Sequence, residues 1–143
     1  MSANSVAKGL RGYVISRSFG GFSIPVPLQS LALRDYCQRK DFLYILPANE
    51  NCFPHSYMIL ESVIQDLTEF AGIILYSVRM LPLQKNRRLS IYSQILKQKR
   101  SMHLVLEDMV LESEEAVSAI EELFLYERLS LDNDSSNLFT KFI

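Results

Sequence analysis

At 143 residues, with 48% hydrophobic and 22% charged residues, the chain has the size and mix of one globular domain that buries a core without disulfides or metal. No run approaches the roughly 18 apolar residues of a membrane span, and the start Met1-Ser2-Ala3-Asn4-Ser5 lacks a signal-peptide layout, so a cytoplasmic protein is expected. The net charge of −1 hides a segregation: Arg79 to Arg100 carries seven bases and no acid, and Glu107 to Asp134 carries ten acids against Arg128 alone.

Such segregation fits two faces of opposite sign, one steering an anionic ligand, the two pairing head to tail between copies. Two solvated helix faces are the simpler alternative. Cys37 and Cys52 are the only cysteines, expected as reduced, buried residues. A zinc site built from Cys37, Cys52 and His55 lacks a fourth ligand and the paired spacing of zinc modules.

The first apolar run, Gly12 to Ile15, is read as a strand ending in Ser16-Arg17-Ser18 and followed by the turn Phe19-Gly20-Gly21-Phe22. Pro25 and Pro27 open a helix to about Arg39. Leu28, Leu31 and Ala32 form its expected buried stripe, widened by Leu33, Tyr36 and Cys37. Phe42 to Leu46 is the second strand, Pro47 to Pro54 a loop holding Asn49-Glu50, and Ser56 the expected cap of a helix with Leu60, Val63, Ile64 and Leu67 on one face.

Gly72 to Tyr76 is uniformly apolar, as in a central strand buried on both sides, and ends in Ser77-Val78-Arg79. On the next helix Leu89, Tyr92 and Leu96 share a face beside Ile91 and Ile95. Lys97 to Arg100 complement its C-terminus. Lys85, Arg87 and Arg88 lie near its N-terminus, where the dipole disfavours cations unless an anion is held. His103 begins a last apolar strand, where a core or edge role is expected, and Leu104 to Leu106 lead into Glu107-Asp108. Ser113 opens a final helix whose Leu123-Phe124-Leu125-Tyr126 exceeds one apolar face, so a homo-oligomer is expected. From Leu131 the chain reads as a tail or arm that packs on a neighbour or folds back on its own chain.

Alternating strands and helices imply a single α/β domain over 1–143, its core at about 11–130 and its tail at 131–143. The expected form is a three-layer sandwich with a four-stranded parallel sheet ordered 2-1-3-4, resolvase-like or flavodoxin-like. The polar groups at the strand ends then meet at one edge. Ser16, Glu50 and Glu107 are the candidate catalytic groups, a nucleophile and two carboxylates. Arg17, Ser77, Arg79, Arg87 and Arg88 are the candidate ligand binders, since arginine forks suit phosphate and carboxylate. No Gly-x-Gly-x-x-Gly or Walker-type loop is present, and no cofactor is assigned.

Gly12 to Arg17, Gln29 to Arg34, Gly72 to Arg79 and Leu104 to Glu107 resemble, in layout, the catalytic domain of serine recombinases. Those enzymes carry Tyr-x-Arg-x-Ser on strand one, where this chain has Ile15 and Arg17 at the arginine and serine places. Of their Asp-Arg-x-x-Arg pattern it keeps Arg79. The segments Arg11-Gly12-Tyr13, Ser16-Arg17, Gln29, Arg34 to Cys37, Tyr57-Met58, Leu60, Tyr76-Ser77, Leu81-Pro82 and Leu106-Glu107 resemble the sporadic carbohydrate cluster proteins of bacterial surface-polysaccharide loci. That resemblance implies a role in lipopolysaccharide or O-antigen biosynthesis, with an anionic sugar or sugar-nucleotide bound or modified at the sheet edge. A non-catalytic assembly module of the same pathway is the alternative. A degenerate recombinase-like nucleic-acid binder, acting through Lys85 to Arg100, is the third reading, with nucleic acid the less expected partner because of the acidic second half.

Overall fold

The computed structural model describes residues 9–141, with side chains as far as 129. Strands β1 (Gly9–Ile15), β2 (Leu43–Glu50), β3 (Gly72–Leu75) and β4 (Ser101–Leu104) are linked by helices α1 (Val26–Arg39), α2 (Met58–Gln65) and α3 (Lys85–Lys97), and β5 (Met109–Leu111) follows β4 directly and leads into α4 (Glu114–Lys141). The sheet order is β2-β1-β3-β4-β5. The first four strands are parallel, and β5 folds back antiparallel on β4. The expected order 2-1-3-4 therefore holds, with a fifth edge strand added. Glu107 lies in the β4–β5 hairpin, which turns through Asp108 in the left-handed region at φ 54°, rather than at the end of a strand.

The sheet separates two cores. Leu10 and Val14 of β1 and Ile74 of β3 meet Leu33, Tyr36 and Cys37 of α1 on one face. Tyr13, Ile15, Ile73 and Leu75 meet Leu60 and Ile64 of α2, Ile91 and Ile95 of α3 and Ile120 of α4 on the other. The period of two along each strand sends alternate residues to opposite layers.

Strand β2 runs on through the expected loop to Glu50. Pro47 is accommodated because β2 is an edge strand with one extra residue opposite β1: Arg11 pairs with Ile45 and Tyr13 with Ala48. Gly12 makes room for this bulge, since a β-carbon there would lie 3.1 Å from Pro47 Cβ.

Two helices turn a different face inward from the one their apolar spacing predicts. On α1, Leu28 and Leu31 are exposed, while Gln29 is buried with Leu33, Tyr36 and Cys37. Gln29 accepts from the Ile15 N–H and donates to the carbonyls of Ile15 and Ile24, so a polar side chain is satisfied inside the core and ties α1 to the end of β1. On α3, Arg88 is buried with Ile91, Tyr92 and Ile95, and Leu89 is exposed.

The stretch expected as a tail is helical as far as Lys141 and belongs to α4; its side chains lie outside those described. Of the four consecutive apolar residues Leu123 to Tyr126 on α4, Phe124 is buried and Leu123 packs on the core, whereas Leu125 and Tyr126 face outward. Cys37 is buried, its thiol pushed up to about 11 by burial. Cys52 is exposed rather than buried, and both are free thiols. Among the described residues no helix is long and apolar enough to cross a membrane.

Candidate functional site

Strand order reverses between β1 and β3, and the crevice outside their carboxyl ends is where open α/β sheets hold ligands. An open cleft of about 570 Å³ lies at this place, lined by Arg17, Ser18, Gly20, His55, Tyr57, Arg79 and Arg128 among others. It continues past Leu83 toward Phe124 and Glu127 on one side and toward Pro82 and Arg87 on the other.

Each candidate residue can be placed against this cleft. Ser16 is exposed at the end of β1 and is not among the lining side chains; Ser18, two residues on, is. Arg17 is half-buried and donates to two carbonyls, Asn51 at 3.1 Å and Ser56 at 2.7 Å. Its guanidinium lies 5.2 Å from the centre of the Tyr57 ring. It thereby pins the loop between β2 and α2, in which His55 adopts a left-handed φ of 62° and Ser56 Oγ is buried without a partner.

The cap expected from Ser56 is supplied instead by Glu50. Its carboxylate accepts the backbone N–H groups of Ile59 and Leu60 at the start of α2, the N–H of Asn51 and the Tyr13 hydroxyl. Four donors converge on a buried carboxylate at a helix N-terminus, a stabilising arrangement. Burial and this carboxylate push the Tyr13 hydroxyl well above its ordinary pKa. Glu50 therefore has a structural task and does not open into the cleft.

Glu107 likewise holds backbone. It accepts the Ser77 hydroxyl at 2.6 Å and the Val78 N–H at 2.9 Å. Burial raises its pKa despite these bonds. Ser77, fully buried, in turn accepts the Arg79 N–H and starts the short 3₁₀ turn Val78–Met80. The Glu107–Ser77 pair thus fixes the backbone from which Arg79 projects.

Arg79 reaches across the cleft to α4. Its Nε and Nη2 donate to Glu127 Oε2, the Nε bond at 2.8 Å, and its Nη1 donates to the Gly20 carbonyl. The Phe22 ring lies 4.2 Å from its guanidinium. Gly20 is required here: at φ +52° a β-carbon would sit 2.6 Å from Arg79 Cβ.

Arg87 pairs with Glu61 on α2 and lies 5.2 Å from Tyr57, on which Arg17 also packs. Arg88 is 3% exposed. It forms a bidentate pair with Glu121 at 2.8 and 2.9 Å and donates to the carbonyls of Pro82 and Leu83. The Phe124 ring lies 3.9 Å away.

The basic and acidic segments therefore meet within one chain, Arg79 with Glu127 and Arg88 with Glu121, where the sequence left open two solvated helix faces or a head-to-tail pairing between copies. Tyr92 also donates to Glu121. Burial pushes the Glu121 carboxyl up, but Arg88 and Tyr92 outweigh it and hold it below the ordinary carboxylate value. His103 is a core residue bonded to Tyr36 Oη at 2.7 Å and Ser101 Oγ at 2.9 Å, its pKa lowered to about 4 by burial.

Sequence reasoning missed His55, Tyr57 and Arg128 as lining residues. Arg128 carried a signal, being the lone base among ten acids. No group of three or more potential metal ligands is found among the described residues.

The chain is similar in structure to the N-terminal catalytic domain of TP901-1 integrase, at 17% identity and a TM-score of 0.58, over 90% of this chain and 98% of that domain. It is similar also to a resolvase family site-specific recombinase from Streptococcus pneumoniae, at 10% identity and a TM-score of 0.59, over 92% of this chain and 97% of the other. No family model and no curated relative matches. The fold is thus resolvase-like. The expectation of a surface-carbohydrate protein acting on an anionic sugar is corrected: the two solved structures named above are an integrase catalytic domain and a site-specific recombinase. With it falls the preference for a sugar over a nucleic-acid partner.

Proposed function

We propose that this chain is a recombinase-fold module that binds a nucleic-acid backbone in the cleft at the β1–β3 edge. One observation carries the reading. Arg17 is anchored by neutral carbonyls and an aromatic face, so its position is fixed while its charge is left for an anion. Guanidinium forks match phosphate oxygens, and His55 and Arg128 line the same space. Site-specific recombination, the activity named for the matched protein from Streptococcus pneumoniae, acts on a phosphate backbone, which supports the choice of ligand. The proposal is binding rather than strand exchange, because strand one carries Ile15 and Arg17 at the places of the recombinase arginine and serine.

Fluorescence anisotropy with a short labelled duplex tests it. Binding is expected to weaken as salt is raised, Arg17→Ala to weaken it further, and Arg17→Lys to fall between. Binding indifferent to salt and to Arg17 contradicts the proposal.

A homo-oligomer is a second, compatible reading, favoured by exposed Leu125, Tyr126 and Leu129 along α4. Light scattering checks it: Tyr126→Glu dissociates the assembly, and a monomeric wild type ends the reading.

A further inference from the structure

Arg17 and Arg79 open into one cleft but are held by chemically different partners. Arg17 rests on carbonyls; Arg79 rests on a carboxylate. Glu127 serves both Nε and Nη2 of Arg79 with a single oxygen, Oε2, where a phosphate has an oxygen for each nitrogen of the fork. The rest of the Arg79 setting does not depend on Glu127. The Gly20 carbonyl holds Nη1, the Phe22 ring lies against the guanidinium, and the Ser77-capped turn fixes the backbone. Arg79 therefore has the means to stay in place when Glu127 leaves. The next residue on α4, Arg128, lines the cleft on the same side, so an anion arriving at Arg79 meets a second cation.

We propose that Glu127 is an internal competitor for Arg79, a residue that sets the affinity and salt dependence of the cleft by occupying a fork the ligand would otherwise fill. The inference rests on the reading above, that the cleft takes a phosphate backbone. A purely structural role makes the opposite forecast, since loss of a clamp between the turn and α4 loosens the site and weakens binding.

The experiment compares Glu127→Gln with wild type, using the same labelled duplex across a salt series. Glu127→Gln is expected to bind several-fold tighter at low salt, with log K falling more steeply against log salt by about 0.9, one further phosphate contact. Adding Arg79→Met is expected to erase the gain. In wild type, needing no variant to fold, the Arg79 Nε–H resonance is expected to shift when duplex displaces Glu127. Wild-type binding with no gain in Glu127→Gln and an unmoved Arg79 resonance overturns the inference and leaves the nucleic-acid reading standing. Silence from both proteins toward duplex overturns both.

Discussion

Arg17 and Arg88 stand at the two ends of a range of arginine environments within one small fold. Arg88 is buried, its fork closed on both oxygens of Glu121 and its remaining nitrogen, Nη1, donating to two carbonyls. Arg17 is half-buried and, among the described residues, meets carbonyl oxygens and a tyrosine ring. In the first case the charge is cancelled where it stands, and the side chain joins α3 to α4. In the second the geometry is held but the charge is not cancelled. Arginine identity alone does not separate structure from function; the charge of the partner does. Arg79 lies between them, oriented like Arg17 and neutralised like Arg88.

The largest effect is expected at the structural end. Arg88→Ala leaves Glu121 mostly buried and uncompensated, with Tyr92 its remaining donor, and loss of one partner of a buried pair costs about 3–5 kcal/mol. Urea denaturation checks this. A loss below about 1 kcal/mol, the range of an exposed pair, would place Arg88 with the surface arginines and break the comparison.

Acid probes the opposite layer, where His103 meets Tyr36 of α1. His103 is held neutral with a pKa lowered to about 4, against about 6.5 in an unfolded chain. As pH falls through that window the unfolded state takes up a proton that the native state refuses. Stability, complete above about 6.5, is thus lost toward pH 4 by about 3 kcal/mol, at about 1.4 kcal/mol per pH unit. Glu121, held below the usual carboxylate value, adds loss of the same sign at lower pH. Urea midpoints across this window check it, and His103→Phe should flatten the pH 4–6.5 slope.

Glu50→Gln gives a smaller loss. An amide keeps one acceptor oxygen but sets an NH₂ against backbone donors of α2 and Asn51, for which about 1–3 kcal/mol is expected. A neutral result would show that the carboxylate is not the cap of α2. Arg17→Ala is expected to cost least, about 1 kcal/mol or less, since its bonds go to carbonyls at the rim. A thermal melt checks this, and a loss rivalling Arg88→Ala would erase the distinction between them.

The parallel core was legible in the sequence because each buried strand is a short apolar run and each crossover needs a helix. What was not legible has two physical causes. Gln29 and Arg88 are polar residues at buried positions, so apolar periodicity turned α1 and α3 by about one residue and left Leu28, Leu31 and Leu89 facing solvent. The partners that decide what each candidate does lie far along the chain: Glu121 is 33 residues from Arg88, Glu127 is 48 from Arg79, and the Ser56 carbonyl is 39 from Arg17. Strand β5, three residues long, carries too little pattern to see. Strand-end reasoning did bring Arg17 and Arg79 to one cleft, while Glu50, Ser77 and Glu107 came to the same edge to hold backbone.

The most direct test of the account is the salt slope of duplex binding in wild type and Arg17→Ala, measured side by side on proteins shown to melt alike. A cation whose charge is spent on a phosphate contributes about 0.9 to the slope of log K against log salt, so Arg17→Ala is expected to lower the slope by about that amount. Parallel lines for the two proteins would contradict it, because Arg17 would then anchor its loop and nothing more.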